Sequence, residues 1–283
     1  MTKNYSDITV ILTLYKTPEN KLKNLNQYKK YKTIFFDQES NGNLKNKIRY
    51  FFKGNFKYYS SPRNIGLSKS SNFLLSKVKT RYCLFTQPDI KIYDTSILML
   101  KKSMKLKTDV IFSAPKFVKK IKNSYNNKRL SLKIVNKVNA ACMMCDVEKL
   151  KKIGFFDEDF FLYWEDIFLM NKINQTHYKM LLTNNALASH DSSNSSINTM
   201  KINFIRNKNF MYGELVYDYK LNKLRKLKII RKLTQNIIFF FFNSILFKLK
   251  NTLLNFANIM GVFKFLNFLI KQNIIKSEQR KHK

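Results

Sequence analysis

The run DITVILTLY at residues 7–15 constrains the fold of this chain most. It is continuous, apolar and rich in β-branched residues, too short for a helix, and typical of a strand covered on both faces. Lys16-Thr17-Pro18-Glu19 ends it, with Thr17 placed to cap a helix and Pro18 at its first position; Leu22, Leu25 and Tyr28 then mark a helical face. A second apolar run, KTIFF at residues 32–36, stops in a polar loop from Asp37 to Gly42. Strand, helix and strand in this order imply a parallel, right-handed crossover, and such sheets bind ligands at the carboxyl ends of their strands. The expected class is α/β, a mixed but mainly parallel Rossmann-like sheet flanked by helices.

Residues 56–60 read as a third strand, Asn64 and Gly66 as a turn, and residues 68–78 as a helix with Asn72 on an early turn. The backbone N–H groups at that helix start are placed to receive phosphate, a signal that here rests on one glycine. YCLFT at residues 82–86 leads into Gln87-Pro88-Asp89, so Asp89 is a carboxylate just past a buried strand, where a divalent ion bridging a diphosphate could sit. Asp37 occupies the same kind of position and reads equally as a turn former or a ligand contact. Further on, the pattern predicts a helix at 95–104, a strand at 110–114 closed by Pro115, and a basic excursion at 116–137 with one extended piece at 130–135. A strand at 138–144, a helix at 147–153 stopped by Gly154, and an extended segment at 178–187 follow. The last leads into Ser189-His190-Asp191-Ser192-Ser193. A lone histidine is ordinarily structural, but His190 stands beside small polar residues at the end of an apolar segment.

The stretch GFFDEDFFLYWEDIFL, residues 154–169, runs against the composition of the chain. The protein has 53 Lys and Arg against 18 Asp and Glu, yet Asp157, Glu158, Asp159, Glu165 and Asp166 fall within ten residues, interleaved with aromatics and the only Trp. A carboxylate among aromatics is partly desolvated, which raises its pKa and suits it to act as a general base. Acids before an apolar periodic run also favour a helix start, and Asp166 fits that reading too, with Ile167, Met170 and Ile173 behind it.

The formal charge of +35 points to an anionic partner: nucleic acid, an anionic membrane or a phosphorylated small molecule. The abundance of Lys, Asn, Ile and Phe also reflects A/T-rich codons. No RNA-binding aromatic motif or zinc spacing is present, and the acidic cluster would repel a phosphate backbone, so no nucleic-acid partner is expected. The three cysteines, Cys83, Cys142 and Cys145, cannot make a disulfide framework, suit a reducing compartment and read as core residues. The polar start MTKNYSDITV runs directly into a strand, so no signal peptide is expected and the protein is placed in the cytoplasm.

Taken in order, TLYK, a strand ending FFD, RNIGLSKSSN, LFTQPDI, GFFDEDFFLYWEDIFLMNKI and SHDSS resemble the family 2 glycosyltransferases of GT-A fold, in their rhamnosyltransferase-like branch, over roughly residues 7–210. The resemblance implies an inverting enzyme that moves a sugar such as rhamnose from a dTDP- or UDP-sugar to a hydroxyl of a glycan or lipid-linked oligosaccharide in cell-surface polysaccharide synthesis. It implies that Asp37 contacts the nucleotide base with Tyr15 nearby, that Asn64 and Gly66 line the donor pocket, and that Asp166 is the general base with Trp164 and Glu165 at the acceptor site. Asp89 corresponds to the second carboxylate of the family's Asp-x-Asp motif and His190 to a further metal or diphosphate contact, with Mg2+ or Mn2+ as the cofactor. The first carboxylate of that motif is Gln87 here. A polyprenyl-phosphate or processive transferase is the alternative enzyme, and a basic membrane- or RNA-binding protein the alternative outside enzymes.

The composition changes near the C-terminus, and the expected division is a glycosyltransferase domain at 1–215 with a helical extension at 216–283. Residues 219–283 carry 15 Lys and Arg against one Glu, alternating with charge-free blocks at 233–247 and 251–263. Each block is shorter than the roughly 20 apolar residues of a spanning helix. They read as interfacial helices drawn to anionic lipid, which would make the protein peripheral on the cytoplasmic face of the plasma (inner) membrane.

Overall fold

The computed structural model describes residues 5–40, 42–121, 130–190 and 196–281. They form two compact units, Met1–Glu158 with Asp166–Ile197, and Asp159–Glu165 with Asn198–Lys283.

The first unit is a mixed sheet with flanking helices. In chain order its elements are β1 (Ile8–Tyr15), α1 (Glu19–Leu22) continued by a 3-10 turn (Lys23–Tyr28), β2 (Lys32–Gln38), α2 (Asn43–Phe51), β3 (Phe56–Ser61), α3 (Leu67–Lys77), β4 (Tyr82–Thr86) and β5 (Ile90–Ile92). Then come α4 (Asp94–Lys105), β6 (Val110–Phe117), β7 (Leu132–Val135), β8 (Cys142–Asp146), α5 (Val147–Ile153), α6 (Glu165–Asn174) and β9 (Lys179–His190). The strand order is β3-β2-β1-β4-β8-β6-β9-β5, with β7 also on β9. β3, β2, β1 and β4 are mutually parallel, and β8 is antiparallel to both β4 and β6. The apolar strands of this sheet are buried on both faces, with Val10, Leu12 and Leu84 in one core layer and Ile11, Cys83 and Phe112 in the other. All three cysteines are buried and free, and burial pushes the Cys142 thiol up to about 12.

Several elements depart from the sequence reading. Thr17 does not cap α1: its hydroxyl is buried without a hydrogen-bond partner, and the extended Pro18 is the residue before the helix. α2 was not predicted, because it starts from left-handed Gly42 with no side-chain cap and buries Ile48 alone. Pro115 does not close β6. It pairs with Thr183 just before a register shift that leaves residues 184–186 of β9 unmatched, and a residue without an N–H is tolerated beside such an irregularity. The strand expected at 138–144 forms at Cys142–Asp146, where the Asp146 carboxylate ends the strand and accepts the Lys149 N–H of α5. Residues 122–129, within the expected basic excursion, lie outside the described residues.

The second unit is helical, with α7 (Met200–Lys220), α8 (Lys226–Ile245) and α9 (Leu249–Lys281). The boundary expected between residues 215 and 216 falls inside α7, whose whole length packs with α9 around Ile202, Met211, Tyr212, Leu215, Val262 and Phe265. A side chain at Gly261 would meet the Lys208 carbonyl oxygen at 2.5 Å, so this glycine lets the backbones of α9 and α7 touch. α9 also corrects the view of short separate blocks. Lys264 interrupts the apolar sequence but not the helix, since its ammonium lies 4.0 Å from the Tyr212 ring centre and donates to Asn209 at 2.7 Å. The stretch Leu249–Ile275, 27 residues, is long and apolar enough to cross a membrane; its most apolar 18-residue window has mean hydropathy 1.6, and a third of that window is buried within the structure.

Candidate active site at the carboxyl ends of the parallel strands

The carboxyl ends of β1, β2 and β4 carry Tyr15, Asp37 and Asp89 of the predicted residues. Tyr15 ends β1, where its hydroxyl donates to Glu39 Oε2 at 3.0 Å while Lys16 Nζ lies 3.3 Å from Glu39 Oε1. Lys16 and Glu39 both have left-handed backbones, at φ 46° and 57°. Non-glycine residues held there cost about 1–2 kcal/mol each and collect where the surrounding structure fixes a functional geometry. The Asn64 side chain also hydrogen-bonds the Tyr15 hydroxyl. Burial and the Glu39 bond raise the Tyr15 pKa, against a smaller lowering by Asn64.

Asp37 is buried on β2, one residue before its end, and Tyr58 of β3 donates to its Oδ2 at 2.7 Å. Next to it, Gln38 Oε1 accepts the N–H groups of Ile65 at 2.9 Å and Gly66 at 3.0 Å, and Asn64 Oδ1 accepts the Gly66 N–H as well. Gly66, at φ 89° and ψ 164°, adopts a conformation that a side chain would forbid. The loop before α3 is thus pinned to the end of β2. The N–H groups of Ile65 and Gly66 are spent on Gln38 and Asn64. Asn72, one turn into α3, clamps the start of the acidic stretch: it donates to the Phe156 carbonyl at 2.9 Å and accepts the Phe156 N–H at 3.1 Å.

Asp89 lies beyond β4, and β5 brings it to His190. Antiparallel pairing sets Ile90 opposite His190, the last residue of β9, and the imidazole Nε2 stands 3.0 Å from Asp89 Oδ2. Asp89 is 1% exposed, and its other oxygen, Oδ1, is buried with no hydrogen-bond partner. An ionised carboxylate with an orphaned buried oxygen costs free energy unless a cation or donor completes it. The pair therefore fits a divalent ion that takes its other ligands from elsewhere, since among the described residues no third acid, Cys or His joins a cluster. Gln87 contributes its carbonyl to the Ile90 N–H rather than a carboxylate. Asp191, Ser192 and Ser193 lie outside the described residues.

Asp166, in the first turn of α6, is half-buried. Its Oδ1 accepts the Ile167 N–H at 2.8 Å. Burial raises its pKa, opposed by backbone N–H groups and by the charge of Lys137. The carboxylate thus accepts a first-turn N–H of α6 and has a raised pKa.

Trp164 and Glu165 belong to the second unit. Tyr163 and Trp164 are consecutive left-handed residues, at φ 67° and 73°. The Trp164 ring packs on Phe210 and Tyr217, and an added carbon at Gly213 would lie 2.9 Å from its Cδ1. Its indole N–H is buried without a hydrogen-bond partner. Glu165 is buried.

Gln38, Glu39 and Tyr58 were missed from the sequence. Gln38 and Glu39 sit in the polar loop read as a whole, and nothing local in FKYYSS distinguishes Tyr58; strand register brings each to the site.

The family model described as "Glycosyl transferase family 2" matches residues 13–172. No curated protein matches the sequence. Among solved structures, the mannosyltransferase PcManGT from Pyrobaculum calidifontis in complex with GDP-Man and Mn2+ superposes with a TM-score of 0.57 at 13% identity, over 93% of this chain and 88% of that one. TarS residues 1–349 from S. aureus gives 0.51 at 13% identity, over 92% and 89%. GalNAc-T7 with UDP, GalNAc and Mn2+ gives 0.52 at 12% identity over 75% of this chain, which spans about half of that protein, 48%. These likenesses establish the GT-A fold. With more than half of its length matched by the family model, the chain is a glycosyltransferase and belongs to glycosyl transferase family 2.

Proposed function

We propose that the protein transfers a sugar from a nucleotide-diphosphate donor to a hydroxyl acceptor with inversion, and that Asp166 is the base. The observation that carries the reading is buried Asp89, paired with His190 at the carboxyl end of the sheet and left with one unsatisfied oxygen. Asp89 and His190 would hold a divalent ion. Such an ion supplies positive charge to a departing diphosphate. Asp37, held by Tyr58, would accept from the nucleotide base, with Tyr15, Asn64 and Gly66 shaping the wall beside it.

A sugar hydroxyl is a poor nucleophile at neutral pH. As its oxygen bonds to the anomeric carbon, its proton passes to the Asp166 carboxylate, and the bond to the diphosphate oxygen breaks with its electron pair leaving on the nucleotide diphosphate. One displacement from the opposite face inverts the anomeric centre. Trp164 and Glu165, which directly precede Asp166 in the chain, would serve the acceptor. The bound species named for the solved structures, UDP, GDP-Man and Mn2+, support a nucleotide-sugar donor with a divalent ion. The GFFDEDFFLYWED motif supports the rhamnosyltransferase-like branch and a glycan or lipid-linked acceptor in cell-surface polysaccharide synthesis, on the cytoplasmic side where nucleotide sugars are made.

Titration of the purified protein with dTDP and with UDP, each with and without Mn2+, tests this reading. Metal-dependent binding lost in Asp89→Ala is expected, and the preferred base narrows the donor. Absence of nucleotide binding under every condition would overturn it.

A further inference from the structure

In α8 the usual polarity of a surface helix is reversed. Beside Phe240, whose ring lies 6.1 Å from that of Phe256, the side chains it turns to its neighbours include charged and polar ones: Lys228 bridges Glu214 at 2.8 Å and Asp218 at 2.5 Å, Lys232 reaches Glu214 at 3.0 Å, and Asn236 accepts from Asn258 at 2.9 Å. The outward stripe is Leu227, Ile230, Ile238, Phe241 and Ile245, spaced by three or four residues except where Thr234 stands between Ile230 and Ile238, with Leu227 77% and Ile245 75% exposed. A helix packed on a water-soluble body buries that stripe and exposes the charges. An apolar patch of this extent on the outside marks an interaction surface.

Two further features sit at its ends. Past α8 the chain turns at Phe247, which is 87% exposed and left-handed at φ 51°. A helix usually ends in that conformation on glycine or asparagine; here a bulky aromatic is held there and presented outward. Exposed cations flank the stripe, Arg225, Lys226 and Arg231 towards one end and Lys248 and Lys250 past the other. A groove lined by Arg231, Thr234, Gln235, Ile238 and Phe239 sets a guanidinium directly beside apolar surface.

We propose that this face of α8, with the Phe247 tip, docks on an anionic lipid bilayer. An apolar stripe bordered by cations matches a surface whose phosphates lie just above its acyl chains. A second copy is a poor occupant, since it would bring two strongly basic faces together: residues 219–283 hold 15 Lys and Arg and one Glu. Nor does α9 need to leave the unit and span, because Gly261 sets it directly against the α7 backbone and Lys264 is tied to Asn209. The proposal rests on the second unit alone and is independent of the assignments at the nucleotide site.

The test is cosedimentation of the full-length chain with phosphatidylcholine vesicles and with vesicles containing phosphatidylglycerol in addition, nucleotide binding being measured on the same samples. Binding to the anionic vesicles alone, weakening as salt is raised, is expected. The exposed double variant Phe241→Ser with Phe242→Ser should lower that binding by about tenfold or more, with unchanged circular dichroism and nucleotide affinity. Replacing Arg225, Lys226 and Arg231 by Gln should lower the preference for anionic lipid and leave the fold intact. Failure of folded protein to bind anionic vesicles would overturn the proposal, and so would unchanged binding by the Phe variant. Self-association that this variant abolishes without altering vesicle binding, or a membrane fraction resistant to alkaline carbonate, would replace the proposal with a dimer face or a true span.

Discussion

Replacing Asp166 by Asn separates basicity from every other property of this position. The amide keeps the shape of the carboxylate and an oxygen that can accept the Ile167 N–H, now held at 2.8 Å, so that hydrogen bond in the first turn of α6 is kept. What disappears is the ability to take a proton. General-base catalysis contributes about 10²–10⁴-fold, so kcat should fall by that factor, equivalent to about 3–5 kcal/mol in the barrier. Nucleotide affinity should not change, because the nucleotide contacts assigned above lie on other elements. Stability should move the opposite way to activity. Burial raises the Asp166 pKa, so between the unfolded and folded values the native state binds more protons, and stability falls as pH rises through that window. At neutral pH the cost of the buried charge is present in full, and Asn removes it, so the variant should melt at a temperature equal to or above that of the wild type. In the wild type, kcat/KM should fall on the acid side with an apparent pKa above the ordinary aspartate value. The assay is single-turnover transfer beside nucleotide titration and a thermal melt. An Asp166→Asn enzyme within about threefold of wild-type kcat, far short of what loss of a base costs, would refute the assignment.

Two further predictions concern the helical unit. Gly261→Ala places a carbon 2.5 Å from the Lys208 carbonyl oxygen and 2.8 Å from Met211 Cβ. Overpacking of about 1–3 kcal/mol against backbone should outweigh the gain of about 1 kcal/mol in helix propensity, and a higher urea midpoint than wild type would show that the helices separate freely. Burial lowers the Lys264 pKa to about 8. Above that pH the unfolded chain binds the extra proton, so wild-type stability should rise from pH 8 towards the ordinary lysine range. Lys264→Met should abolish that rise, and an identical pH profile in both proteins would place the effect on another group.

Legibility from sequence followed the range of the interactions involved. Periodicity identified β1, β2, β4, α3 and α5 closely, because apolar runs of strand length bounded by polar turns are local signals. Helix α2 and strand β5 escaped, one starting on an uncapped glycine and the other only three residues long. The same contrast runs through the site. Asp37 and Asp89 were visible as carboxylates just past apolar strands, and Asp166 as one of a cluster placed against the composition. The partners that define their chemistry were not, because Tyr58, Gln38 and Glu39 reach the site through strand register and loop geometry.

The sequence by itself determined the mixed, mainly parallel α/β class, the positions of the carboxylates at strand ends and the basic, apolar character of the C-terminal region. These depend on residue type and local spacing. Tertiary structure alone decided that Asp89 meets His190, through the pairing of two segments about a hundred residues apart, and that one Asp89 oxygen is left unsatisfied. It also decided that α8 turns Lys228 and Lys232 inward and Phe241 and Phe242 outward. An amphipathic pattern specifies two faces of a helix, but only packing against Glu214, Asp218 and Asn258 selects which of them is buried.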